Sequence, residues 1–382
     1  MASSQQGIIS CPKKIAQGKH DEMMQVSCGR KNTIAFFLLG LVLSTIFQAN
    51  IPLSHAESAI PSPLKQVARG SHVLDVKCAN DMVLILKAET AMPFCVHKSS
   101  VAPLIARGWA IMTTDLTENL VLSNKSHGNF SKVAYTPRDY HLSFLVSSAS
   151  PQYDNTLAVF AKYLKPGDSL LVEGYENSES AIKQKMQKIR SMVLPGVNVK
   201  PIRIYNSIGN LTNKVPDLAP GFSYIGYDYE QGTGFSPEFT TNVTKSVAYF
   251  DQARDAVFKY NLKTGGNASL ILMPPFGQLG KSQWNWGLAG MHAGIISVQF
   301  QAFMKDDNFL NYVLDTIAQI KQESMSTKVM VQLSLVPTRG TPQDNLYAIN
   351  MLHRLPINSF LVFYHPYQTS ELEKFLSIVP DQ

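Results

Sequence analysis

Residues 294–336 read GIISVQFQAFMKDDNFLNYVLDTIAQIKQESMSTKVMVQLSLV. Two short apolar, β-branched runs, 294–300 and 328–336, flank a segment at 308–323 whose apolar residues return with a helical period. The same unit repeats outward from here. Upstream, strand-like runs fall at 142–147, 169–174, 199–205, 222–228 and 269–273; downstream, one falls at 358–364. Helices are expected at 155–164, 178–193, 240–260, 282–290, 342–354 and 369–378. The connection after the third run, with Pro216 and Pro220, reads as a loop. Eight strands alternating with helices over 140–382 predict an α/β fold, a (β/α)8 barrel of the TIM type. A doubly wound open sheet is the alternative. It needs a Gly-rich phosphate loop after its first strand, and none is present.

Ahead of the barrel the chain changes character. Thr33 to Phe47 (TIAFFLLGLVLSTIF) is nearly all apolar, with Arg30 and Lys31 before it and Ser54-His55-Ala56 after it. A spanning helix needs about 20 apolar residues, and this run is shorter. Residues 1–56 therefore read as a cytoplasmic segment plus a signal peptide cleaved after Ala56, the alternative being a retained anchor on the outer face of the membrane. A start at Met23 or Met24 gives the short basic leader usual for a signal. Residues 57–70 and 114–139 read as linkers around a small module at 71–113. In that module Val83–Lys87 and Pro93–Val96 read as a hairpin, and Ser99–Ala106 as a helix capped by Ser99 or Ser100. Cys78 and Cys95 are the two cysteines beyond the apolar run, and export would make them a disulfide; Cys11 and Cys28 stay on the other side. The module is too small for a core of its own, which gives that staple its importance.

The pattern of Cys78, Leu84-Ile85-Leu86-Lys87, Cys95-Val96 and Arg107-Gly108-Trp109 resembles a short two-cysteine module in exported proteins of ammonia-oxidising archaea. The resemblance covers 71–113 and implies source and compartment, not chemistry. Composition agrees with a folded, exported chain. Of 382 residues, 45% are hydrophobic, which excludes general disorder, and only 16% are charged. The net charge of +6 gathers largely before residue 35 and forms no later basic cluster, so no nucleic-acid partner is expected. Asn124, Asn129, Asn210, Asn242 and Asn267 begin Asn-x-Ser/Thr sequons open to glycosylation in an exported protein.

Barrel enzymes carry their chemistry at the C-terminal ends of the strands. Applied to the strand runs, that rule selects Glu176, Tyr205, Tyr227, Asp228, Glu230, Trp284, Trp286, Gln299, Gln301, Arg339, Tyr364 and His365. Asp228 and Glu230 form the sharpest pair. Residues two apart on a strand share a face, and two neighbouring carboxylates raise at least one pKa, as a general acid requires. Glu176 and Glu238 are candidate second carboxylates, and one of Trp284 and Trp286 a candidate sugar platform. No two histidines stand at ligand spacing, so neither metal nor cofactor is expected.

Asp228-x-Glu230 at the end of the fourth barrel strand resembles glycoside hydrolases of the chitinase type, whose barrels end that strand in Asp-x-x-Asp-x-Asp-x-Glu. The resemblance implies a glycosidase in which Glu230 protonates the glycosidic oxygen and Asp228 orients the substrate's N-acetyl group. The two earlier Asp positions hold Ser223 and Gly226, Gln301 stands where an aromatic hydroxyl is usual, and Tyr364 falls near the late tryptophan. The expected ligand is a glycan or another polar extracellular molecule. The alternative is a non-catalytic envelope protein that binds a glycan or a protein through the same rim.

Overall fold

The computed structural model describes residues 60–114, 116, 138–147, 149–232, 234–279, 284–365 and 367–380. Residues 60–382 make one compact unit that holds both the small module and the barrel. The apolar run 33–47, Asn124, Asn129 and most of the second expected linker lie outside the described residues. Among the described residues no helix is long and apolar enough to cross a membrane.

The module is a three-stranded antiparallel sheet of order β2-β1-β3, with β1 at Met82–Lys87, β2 at Pro93–His97 and β3 at Ala110–Met112. The expected hairpin is there, with Leu84 opposite Cys95, and β3 adds a strand the sequence reading did not include. Cys78 and Cys95 form a disulfide with Cα atoms 5.6 Å apart, inside the span such bonds need. Two expectations are corrected. The helix Lys98–Ala106 begins directly off β2, so His97, not a serine, holds the cap position, and its ring pairs with Asp81 at 3.0 Å. The stretch 57–70 is not all linker: Pro63–Ala68 is a helix. Its buried Gln66 donates to the carbonyls of Pro61 and Lys77, each at 2.7 Å, and accepts from the Lys77 N–H at 2.8 Å.

All eight expected barrel strands form: β4 Leu142–Ser147, β5 Ser169–Glu173, β6 Asn198–Tyr205, β7 Tyr224–Asp228, β8 Ser269–Met273, β9 Ile295–Gln299, β10 Lys328–Ser334 and β11 Ser359–Phe363. They run parallel in chain order and close through β11 and β4, where Phe360 faces Leu142 and Leu361 faces Ser143. Strand pleating divides the core in two. Leu171, Ile202, Ile271, Met273, Ile295, Met330 and Leu361 fill the barrel, with Leu145, Ile204 and Tyr224 beside them. The alternate residues, such as Val172, Ile225, Leu272, Val298 and Val331, join the larger cluster under the helices. Helix starts follow their capping residues. Ser178, Asn242 and Asn285 each accept a backbone N–H three residues on, and Thr341 with Asp344 makes a reciprocal capping box. The third connection is corrected from loop to helix: Ser207 caps Ile208–Lys214, which ends just before Pro216.

Candidate functional site

The inward parity of the strands decides what meets at the top of the barrel. On β7, Tyr224 and Gly226 face in, so Asp228 does too; on β9 the inward series runs Ile295, Ser297, Gln299; on β10 it runs Met330, Gln332. The last of each series, Asp228, Gln299 and Gln332, line a cavity of about 560 Å³. Of the residues selected from sequence, Asp228, Glu230, Gln299, Gln301, Arg339, Tyr364 and His365 line it. The strand ends at Asp228, earlier than a strand carrying both carboxylates, and Glu230 reaches the cavity from the segment that follows. That segment is held in place: Ser236 Oγ donates to the Asp228 carbonyl at 3.0 Å and the Ser236 N–H to the Glu230 carbonyl at 2.9 Å.

The carboxylates are poised by burial. Asp228 is pushed up to about 7, first by desolvation and then by the charge of Glu230, while a hydrogen bond from Gln299 pulls it back. Glu230 is also raised by desolvation, against the opposing pull of Gln299 and Arg339. Gln299 Nε2 donates to Asp228 Oδ1 and to the Met273 carbonyl, both at 2.9 Å, so its amide cannot turn without losing both bonds. A second chain of groups fixes the adjoining wall. Arg339 Nη1 donates to Gln301 Oε1 at 2.8 Å, Gln301 Nε2 to Gln332 Oε1 at 3.0 Å, and Gln332 Nε2 to Ser297 Oγ at 3.1 Å. The cavity thus holds two carboxylates raised by burial, one guanidinium and an ordered row of amides.

The other selected residues lie elsewhere. Tyr227 alternates with Asp228 and therefore points outward, where it is fully buried and donates to Glu238 at 2.5 Å. Tyr205 alternates with the inward Ile204 and is likewise buried under the helices. Trp284 and Trp286 are 2% and 1% exposed, so neither offers a face to a ligand. Trp284 packs near Tyr229 and Phe250, and Trp286 stacks on Phe276. Glu176 is engaged by Lys185 at 2.5 Å, and Glu238 accepts both Tyr227 and the Ile208 N–H; neither lines the cavity. The sequence reading passed over Gln332, Phe235, Phe363, Tyr153 and Thr156, which do line it. Strand parity alone identifies Gln332 and Phe363, two residues beyond the inward Met330 and Leu361.

The chitinase-type pattern meets a packed wall at Gly226. A Cβ there would lie 2.9 Å from Ile204 Cγ1 and 3.1 Å from Met273 Cε, so the space for that pattern's middle Asp is filled by apolar side chains. Among the described residues no group of three His, Cys, Asp or Glu stands close enough to hold a metal ion.

No protein-family model matches the chain, and no curated protein matches it. Solved structures give low similarity. A family 18 chitinase from Crocus vernus is 13% identical with a TM-score of 0.38, covering 61% of this chain and 99% of that one. A glycoside hydrolase family 18 N-acetylglucosaminidase from Paenibacillus barengoltzii is 7% identical with a TM-score of 0.39, covering 62% and 99%. A putative deoxyribose-phosphate aldolase from Coccidioides immitis is 11% identical with a TM-score of 0.36, covering 68% and 97%. At these scores the likenesses carry no argument about function, and the barrel stands on its own strand pairing.

Proposed function

We propose that this chain is an extracytoplasmic carbohydrate-active protein, a glycosidase-like hydrolase whose site is the cavity at the C-terminal ends of the barrel strands. One observation carries the reading: Asp228 and Glu230 share one cavity, and burial raises both above the ordinary carboxylate range. In this reading Glu230 gives its proton to the glycosidic oxygen as the C–O bond breaks. Asp228, held by Gln299, steadies the charge that develops on the sugar side. Water completes the hydrolysis and returns the proton to Glu230. Arg339 and the second N–H of the Gln301 amide supply donors suited to sugar hydroxyls.

Export is part of the proposal. The disulfide of Cys78 and Cys95 suits an oxidising compartment, and the run 33–47 supplies a signal or an anchor. Asn210, Asn242 and Asn267 are exposed; Asn242 uses its side-chain oxygen as a helix cap, which leaves its amide nitrogen for a glycan.

The closed space at Gly226 favours a second reading, a barrel that binds a glycan through the same cavity without cleaving it. A glycan panel read by mass spectrometry separates the two. Cleavage by the wild type and none by Glu230→Gln, with unchanged circular dichroism, supports the hydrolase. Cleavage by both removes Glu230 from the mechanism, and binding by both without cleavage moves the protein to the binding class.

A further inference from the structure

The helix Lys98–Ala106 carries the apolar run Val101-Ala102-Pro103-Leu104-Ile105-Ala106, yet none of its residues is buried. A surface helix normally turns its apolar stripe to the core and its polar stripe to water. Here Val101 and Leu104 lean on the module, while Ala102, Ile105 and Ala106, at helical spacing, face outward. The turn after the helix extends this patch. Gly108 takes a left-handed φ of 66°, the Gly108 N–H donates to the Ile105 carbonyl at 2.8 Å, and the Trp109 N–H donates to the Leu104 carbonyl at 3.0 Å. That pattern is a Schellman motif, and it pins Trp109 at the helix end. Trp109 rests edge-on against Phe94 at 5.5 Å and keeps 36% of its surface exposed, as does Ile105. Ile60 and Leu64, just ahead of the module, are 49% and 42% exposed.

We propose that this patch docks on a lipid bilayer surface. Three features of the chain select lipid as the occupant. Exposed cations, Lys98 and Arg107, bracket the helix, and residues 60–112 carry six Lys and Arg against three Asp and Glu, a net of +3 that suits anionic headgroups. A tryptophan beside an arginine is the pairing found at headgroup depth, ring in the apolar boundary and charge in water. Where the apolar run is retained as an anchor, twelve residues separate its end at Phe47 from Ile60, a tether of at most about 40 Å. The inference concerns the module alone and does not depend on the carbohydrate reading of the barrel.

Tryptophan reports the contact directly. The chain has three, Trp284 and Trp286 are buried, and the run 33–47 has none, so quenching by lipid isolates Trp109. The full chain is mixed with vesicles of phosphatidylcholine and phosphatidylglycerol bearing brominated acyl chains. Emission is expected to fall relative to unbrominated vesicles. Trp109→Phe abolishes that drop, and Ile105→Asp reduces it severalfold with unchanged circular dichroism. Three results overturn the proposal. The first is a chain that stays in the aqueous phase. The second is a Trp109 quenched by aqueous acrylamide but not by brominated lipid. The third is a Trp109 reached by neither, which would mean that protein, such as residues 117–137 or a second copy, covers the patch.

Discussion

Asp228 is held against its own desolvation, and its pH response follows with a definite sign. Its value in the folded chain, about 7, lies above its ordinary value of 3.8. The native state therefore binds this proton more tightly than the unfolded chain does. The stabilisation is fully present at acidic pH and is lost as pH rises from about 4 to about 7. Asp228→Asn keeps an acceptor for Gln299 and removes the charge. Urea midpoints should show the wild type losing up to a few kcal/mol relative to the variant between roughly pH 4 and pH 8. Parallel curves for the two proteins would contradict the assigned burial. The sequence placed Asp228 at the end of its strand, and the inward parity of Tyr224 and Gly226 in the structure turns it into the barrel. The same parity sends the alternate tyrosine, Tyr227, to the opposite face, and selecting both Asp228 and Tyr227 for one rim overlooked that rule.

At the scale of the element, the start of β5 shows how the barrel secures a strand. Asp168 is fully buried; its Oδ1 accepts the Leu142 N–H of β4 at 2.9 Å, its Oδ2 accepts the Lys165 N–H at 3.0 Å, and Arg138 pairs with it. Asp168→Ala strands the buried Arg138 charge and should cost about 3–5 kcal/mol in denaturant unfolding. The double variant Arg138→Met with Asp168→Leu should recover a large part of that loss, and no recovery would assign the cost to the backbone contacts. Nothing local in the sequence marks this pair, because its members lie 30 residues apart. The strands themselves were legible, since each is a short β-branched run between polar turns. The helix Ile208–Lys214 was not, because its 7 residues make barely two turns, too few to establish a period, and the prolines beyond it signal only its end.

For the whole molecule, the seam between module and barrel joins apolar packing to one carboxylate. Asp315, on the barrel helix Phe309–Glu323, accepts the Val73 N–H at 2.9 Å and bonds His72 Nδ1 at 2.5 Å. Val73 is fully buried and joins the outer core cluster. Burial raises Asp315, and the His72 bond opposes that rise. Asp315→Ala removes two charge-assisted bonds and should weaken the seam by about 2 kcal/mol. Hydrogen exchange would then speed up at 73–75 while the barrel strands keep their protection. Uniform loss of protection would show that module and barrel unfold as one unit.

The chain's own pattern determined the number and order of the barrel strands and the pairing of the two outer cysteines. Each depends on local period or on a count of residues. Only the tertiary structure decided which aromatics meet the cavity. A period of two says which residues share a face of a strand, but not which face the helices will cover. Trp284 and Trp286 follow the fifth strand in sequence, yet packing near Phe250 and against Phe276 buries both, and Gln332 and Phe363 line the cavity instead. Burial of that kind is set by side chains that only the packed fold brings together, such as Tyr229, Phe250 and Trp284.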